Sequence, residues 1–171
     1  MGIPGYDAAW HGVPLTEIMT REYTLEHQEL FQEFYQEIMS WMDRKPSRAH
    51  YALAEANIPV ITENIDMLHQ KAGSTRVIEL HGNLKEGIVL RGDKIRNWDK
   101  ARSLVQAAGH LLVVGCSLDM KPAGRLPWLA KENGTQISII NEAADKCVPK
   151  WLERYFYKRE NAGGIQSENG K

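Results

Sequence analysis

Between Leu25 and Met42, the apolar residues Leu30, Phe31, Phe34, Tyr35, Ile38, Met39 and Met42 recur three and four positions apart. That spacing predicts one amphipathic helix. Pro46-Ser47 restarts a helix through Ala49, Ala52, Leu53 and Ala56. The pattern then changes to short continuous apolar runs: Ile58 to Thr62, Val77 to Leu80, Ile88 to Leu90, Leu111 to Val114 and Ile137 to Ile140. Runs of this length, bounded by turn residues, predict buried strands. Further helices are predicted among them. One carries Trp98, Ala101, Leu104, Val105 and Ala108, with Asn97 as N-cap and Gly109 as stop. Another runs from Pro122 to Asn133 and is closed by Gly134. A last one uses Trp151, Leu152, Tyr155 and Phe156, with Pro149 in its first turn. Residues 1–22, with Pro4, Gly5, Gly12 and Pro14, show turns and no period.

Apolar strands alternating with helices imply a parallel sheet covered on both faces. The predicted fold is α/β, a Rossmann-like doubly wound parallel sheet. Residues 1–160 are expected to form one domain, and residues 161–171, rich in Gly, Ser, Asn and Glu, a disordered tail. The 171 residues suffice for one core. A net charge of -1 argues against a nucleic-acid-binding surface, which carries a basic excess. No stretch approaches the ~18 apolar residues of a membrane span, and Met1 is not followed by a signal-peptide layout. A cytoplasmic location without membrane partners is expected. Cys116 and Cys147 are too few for a disulfide framework or a four-cysteine zinc site. The oligomeric state is left open.

Candidate chemistry lies at the ends of two predicted strands. Thr62-Glu63-Asn64-Ile65-Asp66-Met67-Leu68-His69 follows the first, and Glu79-Leu80-His81-Gly82 closes the second. Polar side chains at the carboxyl ends of such strands line the crevice where ligands bind. Asn64 and Asp66, two apart, face one pocket if the backbone stays extended. An Asx-type turn capping the strand is the alternative for the same residues. An imidazole such as His81 takes up a proton near neutrality, as a general base must.

Together these two blocks resemble the nicotinamide pocket and catalytic histidine of the sirtuins, NAD-dependent protein deacylases. The resemblance runs from Gly2 to about Asp145. It implies that NAD is the cofactor and an acylated-lysine protein or peptide the substrate. It also implies that the acyl group is transferred to give O-acyl-ADP-ribose with release of nicotinamide. By the same resemblance His81 is the base, Asp66 binds the carboxamide, Asn64 contacts the adjoining ribose, and Glu63 and Ile65 line the cofactor site. Glu63 stands where glutamine is usual, within expected reach of Asp66. Gly115-Cys116-Ser117-Leu118 with Pro122-Ala123 is similar to the family's dinucleotide-contacting Gly-Thr-Ser-Leu stretch. Asn141 and Glu142 match its adenosine-ribose position. Ile88, Val89, Leu90 and Gly92 fall on its peptide-clasping strand, and Tyr6 replaces an aromatic over nicotinamide.

Two family features are absent. Only Gly82 to Gly87 stand where the family carries a module with two Cys-x-x-Cys pairs, so no structural zinc and a reduced small domain are expected. The family's first strand and Gly-Ala-Gly-x-Ser turn have no counterpart before Met1-Gly2-Ile3-Pro4. Met1 is therefore read as an internal methionine of a longer protein, ahead of a degenerate fragment or a rearranged sheet. Two buried parallel edges are expected to lack a partner, and residues 1–171 alone to be weakly active or inactive. ADP-ribosyl transfer on the same scaffold and an inactive NAD- or ADP-ribose-binding remnant are the other readings.

Overall fold

The computed structural model describes residues 8–116, 118 and 123–163, with side chains described as far as Lys158. The chain opens with a hairpin of β1 (Ala9–Trp10) and β2 (Val13–Pro14), followed by α1 (Leu15–Ile18), α2 (Arg21–Glu26) and α3 (Gln28–Met39). A 3-10 turn at Ser40–Asp43 leads to α4 (Arg48–Glu55), β3 (Val60–Thr62), α5 (Leu68–Lys71) and β4 (Val77–Glu79). A second hairpin pairs β5 (Gly82–Asn83) with β6 (Gly87–Ile88). The rest alternates: α6 (Trp98–Ala107), β7 (His110–Val114), a 3-10 turn at Ala123–Arg125, α7 (Leu126–Glu132), β8 (Gln136–Ile140) and α8 (Ala144–Gly163).

The α/β alternation and parallel pairing agree with the expected fold. β3 pairs with β4 from Val60↔Val77 to Thr62↔Glu79, and β7 with β8 from His110↔Gln136 to Val114↔Ile140. Each pair is a separate two-stranded sheet among the described residues. Both pairs nevertheless contribute to one core. Ile61 and Ile78 of the first and Leu111 and Ile137 of the second pack on buried Leu80, Ala101, Val105, Leu126 and Ala130. A second cluster joins α4 to α8 through Ala49, Leu53, Val148 and Leu152. A third buries Ile18, Tyr23, Phe34, Ile38, Ile65 and Leu84.

Several boundaries depart from the sequence pattern. The helix expected over 25–42 is divided at His27, whose φ of -128° and ψ of 53° are not helical. α2 begins earlier because the Thr20 hydroxyl accepts from Tyr23 N–H at 3.1 Å. The described part of the aperiodic opening, residues 8–22, folds locally, yet it places Ile18 fully inside the core. Of the run Ile88 to Leu90, only Ile88 is in a strand, and it runs antiparallel in the small hairpin. Asn97 is not a side-chain cap: its φ is 55°, and its amide donates to Glu79 O at 3.1 Å. Pro149 lies past the first turn, because α8 begins at Ala144. Having no N–H, Pro149 leaves the Asp145 carbonyl without its helical donor. α8 ends at Gly163, beyond the Asn161 at which the tail was expected to begin. No helix among the described residues is long and apolar enough to cross a membrane.

Candidate functional site

The β3–β4 register sets the site. Thr62 lies opposite Glu79 at the last paired position, and Leu80 N–H donates to Thr62 O at 3.0 Å. Both strands thus end together, and the segments that follow leave the sheet side by side. Leu80 is fully buried. His81 is less buried, and its Nε2 lies 3.3 Å from Glu63 Oε1, each side chain about a quarter exposed. Sequence reasoning placed Glu63 within reach of Asp66; the polar partner it finds is His81.

The backbone around the histidine is fixed. Val89 N–H donates to His81 O at 2.8 Å, and Leu84 N–H donates to Ile65 O at 3.0 Å. The second bond ties the loop after β3 to the turn after β4. Gly82 has a φ of +67°, and a Cβ there would run into Gly87 O and the Arg96 guanidinium. Only glycine follows His81 without strain.

Asp66 is 6% exposed, and its Oδ1 accepts from Leu68 N–H at 3.0 Å. That is the Asx-type turn, and Met67 continues it at a φ of 59°. The turn occupies one carboxylate oxygen and leaves the second as an acceptor. Asn64 is exposed, its backbone N–H donating to Thr62 Oγ1 at 3.0 Å. Ile65 is buried in the core cluster with Leu84.

Behind Asp66 stand two histidines with ring centroids 4.6 Å apart, His50 of α4 and His69 of α5. Burial pushes the His69 imidazole down to about 4, and the neighbouring His50 adds to this while Asp66 opposes it. Burial likewise lowers His50 against Asp66 and Asp145. Nδ1 of His50 accepts from Ser47 N–H at 3.3 Å, completing a capping box at the start of α4, and also lies 2.8 Å from Ser47 Oγ.

A second group of candidates sits past β7 and β8. Gly115 N–H donates to Ile140 O at 3.0 Å, which brings Gly115 and Cys116 beside exposed Asn141 and Glu142. Gly115 has a φ of +61°, and among the described residues a Cβ there would meet nothing within 4 Å. Tyr6 and Ser117 lie outside the described residues. The segment expected to clasp a peptide is already engaged in part. Val89, Leu90 and Arg91 donate their amides to His81 O, Asp93 Oδ2 and Met19 O. Val89 and Leu90 are buried, while Gly92 takes a φ of +98°.

The sequence reading passed over a polar frame that joins α5, β4 and the β5–β6 hairpin. Asn83, 2% exposed, donates to Glu79 Oε2 at 2.7 Å and accepts from Lys85 and Glu86 N–H at 3.0 and 2.8 Å. Gln70 holds the other Glu79 oxygen at 2.6 Å. The signal available was Asn83 four residues before Gly87, a turn composition.

Known proteins resemble this chain in sequence and in fold. The profile of the Sir2 family matches residues 2–87. An NAD-dependent protein deacetylase of Sulfolobus acidocaldarius is 31% identical, over 82% of this chain and 75% of its own. An NAD-dependent protein deacylase of Pyrococcus furiosus is 33% identical, over 96% of this chain and 84% of its own. A solved Sir2 structure, in complex with an inhibitor, 2'-O-acetyl-ADP-ribose and a deacetylated peptide, is 26% identical with a TM-score of 0.74. It covers 84% of this chain and 86% of that one. With a family profile over half its length and relatives above 30% identity along most of it, this chain belongs to the Sir2 family.

Proposed function

We propose that this chain is an NAD-dependent protein-lysine deacylase. The observation that carries the reading is His81, held by Val89 N–H at the end of the β3–β4 pair and beside the loop of Asn64 and Asp66. NAD, when bound, supplies the ribose–nicotinamide bond that is broken and the ribose that receives the acyl group.

The residues present fit that cofactor. Asp66 is acceptor-only, suited to the NH2 of a carboxamide, and its turn leaves one oxygen for it. Asn64 is exposed and offers both a donor and an acceptor to a ribose hydroxyl. Gly115, open where a side chain would stand, admits close approach of a dinucleotide to the backbone. His81 takes the proton of a ribose hydroxyl and so makes that oxygen a nucleophile toward the acyl carbon.

The proposal includes residues 1–160 as one unit, a cytoplasmic location, no nucleic-acid or membrane partner, and no structural zinc. The net charge of -1 supports the absence of a nucleic-acid partner, and the two cysteines the absence of a structural zinc. The test is incubation of residues 1–171 with NAD and an acetyl-lysine peptide. Deacetylated peptide, nicotinamide and O-acetyl-ADP-ribose should form slowly in equal amounts, and not with His81→Ala. ADP-ribose attached to protein, or NAD binding without nicotinamide release, would replace this reading by the transferase or the non-catalytic one.

A further inference from the structure

We propose that Glu63 is a positioning residue that sets the tautomer of His81, placing the ring proton on Nε2 and leaving Nδ1 as the basic nitrogen. The observation is the 3.3 Å approach of Glu63 Oε1 to His81 Nε2. An ionised carboxylate has lone pairs and no proton, so it can only accept. A neutral imidazole carries one N–H and one lone pair, so Nε2 must be the nitrogen that donates. The nitrogen left able to accept a proton is Nδ1.

The rest of the environment favours a fixed pair. Both side chains are about three-quarters buried, which strengthens a charge-assisted hydrogen bond relative to one in water. Both backbones leave the same end of the β3–β4 ladder, so neither side chain must reach across the molecule. The His81 carbonyl is held by Val89 N–H, which limits swinging of the residue. A glutamine at this position would behave differently. Its amide has a donor end and an acceptor end and pairs with Nε2, protonated or not, by flipping, so it selects no tautomer. Carboxylate at position 63 therefore turns a two-way contact into a one-way one.

The consequence for catalysis rests on the deacylase reading: the ribose hydroxyl must approach from the Nδ1 edge of the ring. The tautomer itself does not rest on it, and the experiment separates the two. The full chain is labelled with 15N in its imidazoles and studied by long-range 1H–15N correlation at a pH where imidazoles are neutral. The His81 signals are identified by their loss in His81→Gln. The native protein should show Nε2–H as the dominant form, and Glu63→Gln, folded by circular dichroism, should show both forms. Dominant Nδ1–H in the native protein, or the same pattern in native and Glu63→Gln proteins, overturns the proposal. Turnover with NAD and an acetyl-lysine peptide is measured on the same proteins. A native protein with no turnover would count against the deacylase reading and leave the tautomer assignment standing.

Discussion

His50 and His69 meet ring to ring at 4.6 Å, one from the first turn of α4 and one from α5, with Asp66 beside them. Both imidazoles are kept neutral by burial. The folded value for His69, about 4, lies below the ordinary value of 6.5, so the unfolded chain binds more protons between the two. Stability is then complete above about pH 6.5 and declines as pH falls toward 4, with a ceiling of about 1.4 kcal/mol per pH unit. His50 shifts in the same direction and adds to the slope. Urea midpoints measured across this window should fall with acidity, and less steeply in His69→Gln. An equal slope in the two proteins would contradict the assignment.

Gly82→Ala should be poorly tolerated. The added Cβ meets Gly87 O and Arg96, and the φ of +67° is unfavourable for any L side chain. Strain of this kind costs about 1–3 kcal/mol. Because His81 immediately precedes it, turnover should fall by more than the loss of folded protein explains. Thermal melts and activity on the same preparation check both parts.

Asn83→Ala strands several partners at once. Glu79 loses a donor, and the amides of Lys85 and Glu86 lose their acceptor. An unsatisfied buried polar group costs about 1–3 kcal/mol. The substitution should lower the urea midpoint by that order. Asn83→Asp should be worse still, since it sets a carboxylate against Glu79.

Phe34→Ala tests the cluster under the first loop. Phe34 is 2% exposed and shares its cluster with Ile65, which lies between Asn64 and Asp66. Deleting a buried phenylalanine costs about 3–5 kcal/mol. Equilibrium unfolding should show a loss of that size, and an effect below about 1 kcal/mol would mean that the cluster is not packed as described.

How legible these features were depended on how far apart their causes lie in the chain. β7, β8 and α6 could be read because a continuous apolar run or a single stripe is a local property. The division of the first long helix at His27 could not, because apolar spacing continues across it. Pro149 suggested a helix start, yet α8 begins five residues earlier, near the Asp145 that reaches the first turn of α4. The site was half visible. Asn64, Asp66 and His81 stood out as polar groups at strand ends, and the Asx-turn alternative was realised for Asp66. The contact of Glu63 with His81 was not read because it depends on the register Thr62↔Glu79, which brings together residues 18 apart in sequence. His50 and His69, 19 positions apart, met for the same kind of reason.

The absence of a ladder between β3 and β7 among the described residues bears on how the molecule opens. With two short independent ladders, fraying one does not break main-chain bonds in the other, and only side-chain packing couples them. Amide hydrogen exchange should therefore sort the strand amides into two protection classes. The amides of Val60 and Leu80, which bond at the two ends of the three-residue pair, should exchange before those of the five-residue pair and of Gly115 at its end. The ground that carries His81 would then be the part of the sheet most readily loosened, and whatever bridges the two ladders would firm it first.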